Sequence, residues 1–242
     1  MRLIPAVATV LMLSLPTAAL AQEWVEFASR EDRFTCNFPA QPKLTTMTFT
    51  SEYGAELPAR VYTANTATSK YSMTVVDYST VESQLTARAK SCPPGAETCA
   101  GGGATGLGYW RVDKQGAIVY ATWKLIERPT TAKITHMMWN FMDLVEGQQL
   151  QLTNTDKSRT FASIYMHEDK LFIMEATVPP GYPEPGLFQQ SLGWLDENGV
   201  GIRYSAFYLH GGPKPAIAQR GRGTQGRISA DGADDRGAAG AR

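Results

Sequence analysis

The stretch from Arg159 to Leu195 limits the possible folds more than any other. Arg159 to Met166 alternates as a strand, His167-Glu168-Asp169-Lys170 is a polar tetrapeptide, and Leu171 to Val178 reads as a second strand. Pro179, Pro180, Gly181, Pro183 and Pro185 then end any ladder, because proline has no N–H to donate. From there Leu187, Phe188, Ser191, Leu192 and Leu195 have the spacing of one helix face. Two strands and one helix cannot hide their apolar sides alone, so the rest of the chain must build a larger sheet around them.

The first 21 residues read as a secretory leader, apart from the fold. Arg2 supplies the positive start, Leu3 to Leu15 the apolar run, and Ala19-Leu20-Ala21 a small-x-small cleavage site before Gln22. The run is short for a bilayer and is bracketed by Pro5 and Pro16, which argues against a membrane anchor. Without a twin arginine or a cysteine at the cleavage point, neither a Tat substrate nor a lipoprotein is expected. No later stretch is apolar enough to span a bilayer, so no transmembrane segment is expected after cleavage. The leader is of bacterial type, and a periplasmic or secreted protein is the expectation.

Residues 22–212 are expected to form one α+β domain. From Gly211 the composition turns to Gly, Ala, Arg, Asp and Pro, too little apolar surface to offset the entropy of ordering. Residues 213–242 are therefore expected to be a disordered tail. Six basic and three acidic residues fall in that tail, leaving the body with 16 basic and 20 acidic residues, a net charge of −4. An acidic body lacks the basic footprint of a nucleic-acid binder.

There are three cysteines. Cys92 and Cys99 flank a Pro-Pro-Gly loop and are expected to pair in an oxidising compartment, restraining the unfolded chain by roughly 2.5 kcal/mol in the entropic model. Their spacing is neither C-x-x-C nor a zinc pattern. Cys36 is left over, either as a buried thiol or as half of an intermolecular disulfide.

Trp24 to Ala28 is a short apolar start, and strands are expected over Arg33–Phe38, Leu44–Thr50, Ala59–Ala64 and Lys70–Tyr78. Ser79-Thr80-Val81-Glu82 fits a capping box opening a helix with Val81, Leu85 and Ala89 on one side, stopped by Pro93 and Pro94. Gly101 to Gly108 reads as a flexible hinge. In Ala117–Ile126, Ala117, Val119, Ala121, Trp123 and Leu125 lie two apart, which predicts a central strand. Lys133–Glu146 fits helix and strand alike; the hairpin-like Glu146-Gly147 and the alternation of Gln149–Asn154 behind it favour a strand. Asp196 to Gly199 turns the chain into a last strand, Ile202–Leu209.

These residues bear on several chemistries. Gly101-Gly102-Gly103-Ala104-Thr105-Gly106 matches G-x-G-x-x-G, but a cystine loop stands where the motif needs a strand, so no nucleotide cofactor is expected. Histidine is scarce, with His136, His167 and His210 alone, and Ser191 lacks the leading glycine of a nucleophile elbow; it reads as a core-facing helix serine. His167-Glu168-Asp169 is the densest polar cluster. The second histidine of H-E-x-x-H is absent, so it reads as a solvated hairpin tip; a metal there would need help from His136 or Asp143. Trp110, Trp123, Trp139, Tyr120, Met137 and Met142 line either a hydrophobic cleft or, more commonly for such residues, plain core.

The pattern also resembles a known family. Phe34-x-x-x-Phe38-Pro39-x-x-Pro42, a mid-chain helix, a Gly116-led strand, and Ile164-Tyr165 followed by Leu171-Phe172-Ile173, a proline and a helix with Phe188 and Ser191-Leu192 are similar to the small exported bacterial proteins with a PsbP-like α/β sandwich. The resemblance covers most of 33–195 and looks closest to uncharacterised exported proteins of alphaproteobacteria. It implies a mainly antiparallel sheet with a few helices packed on it, and it carries over no catalytic residue. Residues 129–158 depart from the compact pattern. The expectation is a non-catalytic binding or interaction module in the periplasm, taking a partner protein or a small apolar ligand. A hydrolase with a site assembled from distant residues, and an envelope accessory whose basic tail touches anionic surfaces, are the alternatives.

Overall fold

The computed structural model describes residues 24–96 and 108–218. The expected leader, the Gly101–Gly106 motif, Cys99 and the chain beyond Ala218 lie outside the described residues. Among those described are two antiparallel sheets and three helices. The larger sheet has seven strands in the order β3 (Lys43–Thr50), β4 (Glu56–Asn65), β5 (Lys70–Asp77), β9 (Lys170–Val178), β8 (Arg159–His167), β7 (Val145–Asn154) and β6 (Thr131–Met142). The smaller has four, in the order β1 (Val25–Ser29), β2 (Phe34–Phe38), β10 (Gly193–Leu195) and β11 (Gly201–Ile202). A mainly antiparallel α+β architecture is thus present.

The hairpin β8–β9 sits in the middle of the large sheet because both of its faces are apolar. Ala162, Ile164, Met166, Leu171 and Ile173 pack under α1 (Val81–Lys90) and α2 (Tyr109–Ile126). Tyr165, Phe172, Met174 and Ala176 point the other way, onto the small sheet and the short helix α3 (Gly186–Gln189). The result is three layers: helices, large sheet, small sheet. Residues 129–158, outside the family-like pattern, supply all of β6 and β7 and close one side of the large sheet.

Several expectations need correction. Ala117–Ile126 is no strand but the second half of α2. Its buried residues Ala117, Ile118, Ala121 and Leu125 follow a helical repeat, while Val119 and Trp123 face water. A window this apolar satisfies both periods, and the preceding Arg111 to Gln115 extends the helix rather than a strand. The helix expected over Leu187–Leu195 stops at Gln189, and Gly193–Leu195 turns into β10. Gly193 allows this, because its Cα faces Thr35 of β2 with no room for a side chain. The strand expected over Ile202–Leu209 forms only at Gly201–Ile202; the chain then loops away, with isolated bridges at Tyr204 and Tyr208.

The body also runs further than Gly212. Ala218 N–H donates to Arg203 O at 2.7 Å and Ser205 N–H to Ala216 O at 2.9 Å, so Pro213–Ala218 belongs to the fold and not to a tail. The capping box of α1 is not made: Thr80 is the cap residue, no side chain caps the helix, and Ser79 N–H donates to Asp77 Oδ1 at 2.9 Å. The β6–β7 turn is Asp143-Leu144, both at positive φ, and not Glu146-Gly147. Cys36 lies on the inner face of β2 with Phe34 and Phe38, fully buried and free. Burial pushes its thiol up to about 12, against a smaller opposing pull from the Ser191 hydroxyl. It is therefore out of reach of a second chain, which removes the intermolecular disulfide.

Gly147 fills the position where β7 passes Tyr165. A Cβ there would run into the Tyr165 ring and the Ile164 carbonyl oxygen. Gly147→Ala should lower the unfolding free energy by about 3 kcal/mol, since backbone must move to make room. Gly186→Ala, with nothing within 4 Å, should stay within ~0.5 kcal/mol. Urea unfolding followed by circular dichroism measures both.

Candidate functional site

The two-residue turn Glu168-Asp169 closes β8–β9, with Glu168 held at φ 55°. The expectation for His167-Glu168-Asp169 is a solvated tip; in the structure His167 is buried, Glu168 and the neighbouring Lys170 are half-buried, and only Asp169 is exposed. Each of the four side chains reaches a different part of the molecule. His167 is buried, its ring stacked on Trp194 at 4.4 Å and edge-on to Tyr208 at 5.7 Å. Its Nε2 is hydrogen-bonded to the Tyr204 hydroxyl at 2.7 Å. Glu168 accepts from Arg33 Nη1 at 2.8 Å and pairs with Lys214. Asp169 pairs with Lys114 of α2, and its carbonyl accepts from Tyr78 N–H at 2.7 Å. Lys170 donates to Asp32 Oδ1 at 2.9 Å.

Asp32 anchors the second half of this arrangement. It lies in the β1–β2 turn, fully buried, and accepts from Arg60 Nε at 2.7 Å, the Tyr62 hydroxyl at 2.6 Å and Lys170. Burial pushes its carboxyl up, but the bonds from Arg60, Tyr62 and Lys170 outweigh that and hold it below the ordinary range. The small sheet is thereby fastened to β4 and β9 by one ionised group. Nothing in the alternation of β1 or β2 marks Asp32; the one sequence hint is the charged run Arg30-Glu31-Asp32-Arg33 between two apolar strands.

Next to the hairpin tip a cleft of about 360 Å³ opens between the first half of α2 and the segment 208–212. Trp110, Met166 and Tyr208 form its apolar walls, and Arg111, Lys114 and Glu168 its charged rim. Arg111 lies over the Trp110 ring at 4.9 Å. His210 closes one end: its Nε2–H donates to the carbonyls of Lys114 at 2.8 Å and Gln115 at 3.0 Å, which places a proton on Nε2, and burial, which pushes its pKa down, favours the neutral ring. Its own N–H donates to Glu146 Oε2 at 2.7 Å. A larger depression, about 790 Å³, lies against the small sheet by Glu26, Asp143 and Asp196, but Ile217 and Ala218 form part of its wall just where the described chain ends.

The other residues singled out in the sequence are scattered. Ser191 lies past the end of α3, where it accepts from Asn37 N–H at 2.8 Å and donates to Phe188 O at 2.9 Å; its bonding capacity is taken up in holding β2. His136 is on the outer strand β6 and Asp143 in the β6–β7 turn, 3.8 Å from Arg203. Neither joins His167, whose Nε2 is already taken by Tyr204, so the metal arrangement is not assembled. Among the described residues no group of three or more His, Cys, Asp or Glu is placed to hold a metal ion, and no helix is long and apolar enough to cross a membrane. Of the aromatic and methionine set, Trp110 lines the cleft, while Trp123, Trp139 and Met137 are each more than half exposed and so are not core. Because Cys99 is outside the described residues, its pairing with Cys92 stays an expectation.

Three comparisons bear on kinship: no family model, no curated protein and no solved structure matches the chain.

Burial lowers the His167 pKa to about 4, with Lys214 and Arg33 adding to the drop and Glu168 opposing it. The fold therefore holds the neutral ring, while the unfolded chain protonates near 6.5. Stability from this group is complete above 6.5 and is lost as pH falls from there through about 4, on the order of 3 kcal/mol in all. His167→Gln should flatten the pH dependence of unfolding free energy across that window, read from urea titrations at a series of pH values.

Proposed function

We propose that the protein is an exported, periplasmic binding module, its leader removed at Ala21, and that the cleft between α2 and residues 208–212 takes a small amphipathic anion. The observation that carries this reading is the joint composition of the walls. Trp110, Met166 and Tyr208 offer an apolar bed, and Arg111 and Lys114 stand at its rim. Lys114 is paired with Asp169, and Arg33 and Lys214 with Glu168, which leaves Arg111 as the lining cation with no ion pair among the described residues. Glu168 has both carboxylate oxygens engaged by cations, and His210 is held by main-chain carbonyls. These groups act as fixed walls and not as proton carriers. A ligand with a flat or aliphatic body and a carboxylate, sulfonate or phosphate head fits that chemistry.

The PsbP-like reading belongs here too. A large antiparallel sheet with helices on one face supports it. The Cys92–Cys99 bridge is proposed on the same footing, from the short loop and the oxidising address.

The aromatic sulfonate 1-anilinonaphthalene-8-sulfonate is a suitable probe. Titrated into the protein, it should bind saturably at one site, and Trp110→Ala combined with Lys114→Ala should weaken that binding at least tenfold. A neutral analogue of the same aromatic body should bind more weakly than the sulfonate. Binding that is absent, or that survives both substitutions unchanged, would remove the cleft as the site.

A further inference from the structure

We infer that the protein is a two-fold homodimer in which the β6 strands of two copies pair antiparallel and join their large sheets into one. This stands independently of the cleft and its ligand.

β6 is the last strand of the large sheet, twelve residues long, and among the described residues it is laddered only to β7. Its other edge presents main-chain donors and acceptors to whatever strand arrives. Natural sheets blunt such edges with charge or proline. Here residues 134–142 contain no Asp, Glu, Lys, Arg or Pro. A copy arriving in the opposite direction meets no like charge.

The side chains favour the same partner. Met137, Trp139 and Phe141 pair with Leu150, Gln148 and Glu146, and Leu150 is core beneath the helices, so all three stand on the helix face. A two-fold axis normal to the sheet keeps that face on one side for both copies. Centred on Trp139, it sets Trp139 against its own symmetry mate and Met137 against the partner's Phe141. An apolar row thus meets its own reverse, as an isologous contact requires. The register shift between Ile134 and His136 ends the regular ladder just beyond this segment, so 136–142 is the part able to pair.

The area is adequate. Ile134, Met137, Met138, Trp139, Phe141 and Phe207 are between 41 and 57% exposed. Phe207 packs against Phe141, the tilted rings 4.8 Å apart, and widens the patch. At about 100 Å² each they leave roughly 600 Å² in water over the two faces of the strand; the part turned toward a partner, together with the main-chain edge, makes a contact at the small end of the ~800 Å² per partner of a standard stable interface. The opposite edge of the sheet is different: β3 is rich in threonine and offers only Leu44 and Met47 as large exposed side chains.

Sedimentation velocity on the leader-free chain tests the proposal. A concentration-dependent dimer is expected at micromolar protein. Trp139→Lys and Trp139→Glu should each raise its dissociation constant at least a hundredfold, by placing like charges face to face across the axis. Mixing the two variants should restore a heterodimer, which only a contact of Trp139 with its own symmetry mate explains. Met47→Lys on β3 should leave the dimer intact. A chain monomeric at tens of micromolar, a dimer indifferent to both Trp139 variants, or a mixture that stays monomeric overturns the inference. If the variants fail to fold, hydrogen exchange on the unaltered chain decides. Amides 136–142 should be protected in concentrated solution and lose protection on dilution. Exposure at every concentration counts against the dimer, and so does protection that dilution leaves unchanged, since another segment of the same chain would then be covering the strand.

Discussion

The rest of the molecule depends on a desolvated carboxylate. Asp32 sits with no contact to water, and it is tolerable there only because Arg60, Tyr62 and Lys170 all donate to it. Those donors come from β4 and β9, whereas Asp32 belongs to the β1–β2 turn. The charge therefore has one location and one orientation in which it is satisfied, and these fix how the small sheet lies on the large one. Aromatic packing of Phe34, Phe38, Tyr62, Phe172 and Trp194 supplies most of the attraction between the layers, but apolar contact is not directional. The ion network is what gives the docking a defined register. Lys170 links it to the hairpin tip, so the fastening of the small sheet and the arrangement of the cleft wall are one connected set of bonds.

Much of the sheet was legible beforehand because strands buried on both faces, or with a plain alternation, leave a strong mark. β2, β3, β5, β8 and β9 fall within a residue or two of their expected limits, and the tilt toward strand for Lys133–Glu146 agrees with β6. What failed, failed for nameable reasons. In α2 the apolar residues are so dense that a period of two and a period of 3.6 both fit; only the small Ala117 and Ala121 hint at close packing on a sheet. In Gly186–Leu195 one glycine against β2 overrides helical spacing after a single turn. The β6–β7 turn uses Asp143-Leu144, and a leucine at φ 68° breaks the preference for glycine or asparagine on which turn reading rests.

The site was less legible than the fold. His167, Glu168, Asp169 and Lys170 were visible as a polar cluster, yet their role depends on Trp194, Tyr204, Arg33, Lys114 and Asp32, which are distant in sequence and follow no shared spacing. A polar tetrapeptide between two strands normally points to solvent. Here His167 is buried against aromatic rings, and Glu168, Asp169 and Lys170 each find an opposite charge, although Asp169 keeps its contact with water. Trp110 was on the right track as a cleft residue, but its companions in the aromatic list do not join it, because Trp123 and Trp139 face outward.

The topology also governs when the molecule can fold. β5 has to wait for β9, as Lys70 pairs with Thr177, and β2 must wait for β10, as Phe34 pairs with Trp194. Neither sheet can be completed from the N-terminal half, and the apolar faces of β2, β4 and β5 have nothing to cover them until the C-terminal third of the chain has arrived. Such high contact order means slow folding and a long interval with sticky strands exposed. Truncation anywhere before β10 would leave the chain without a native endpoint.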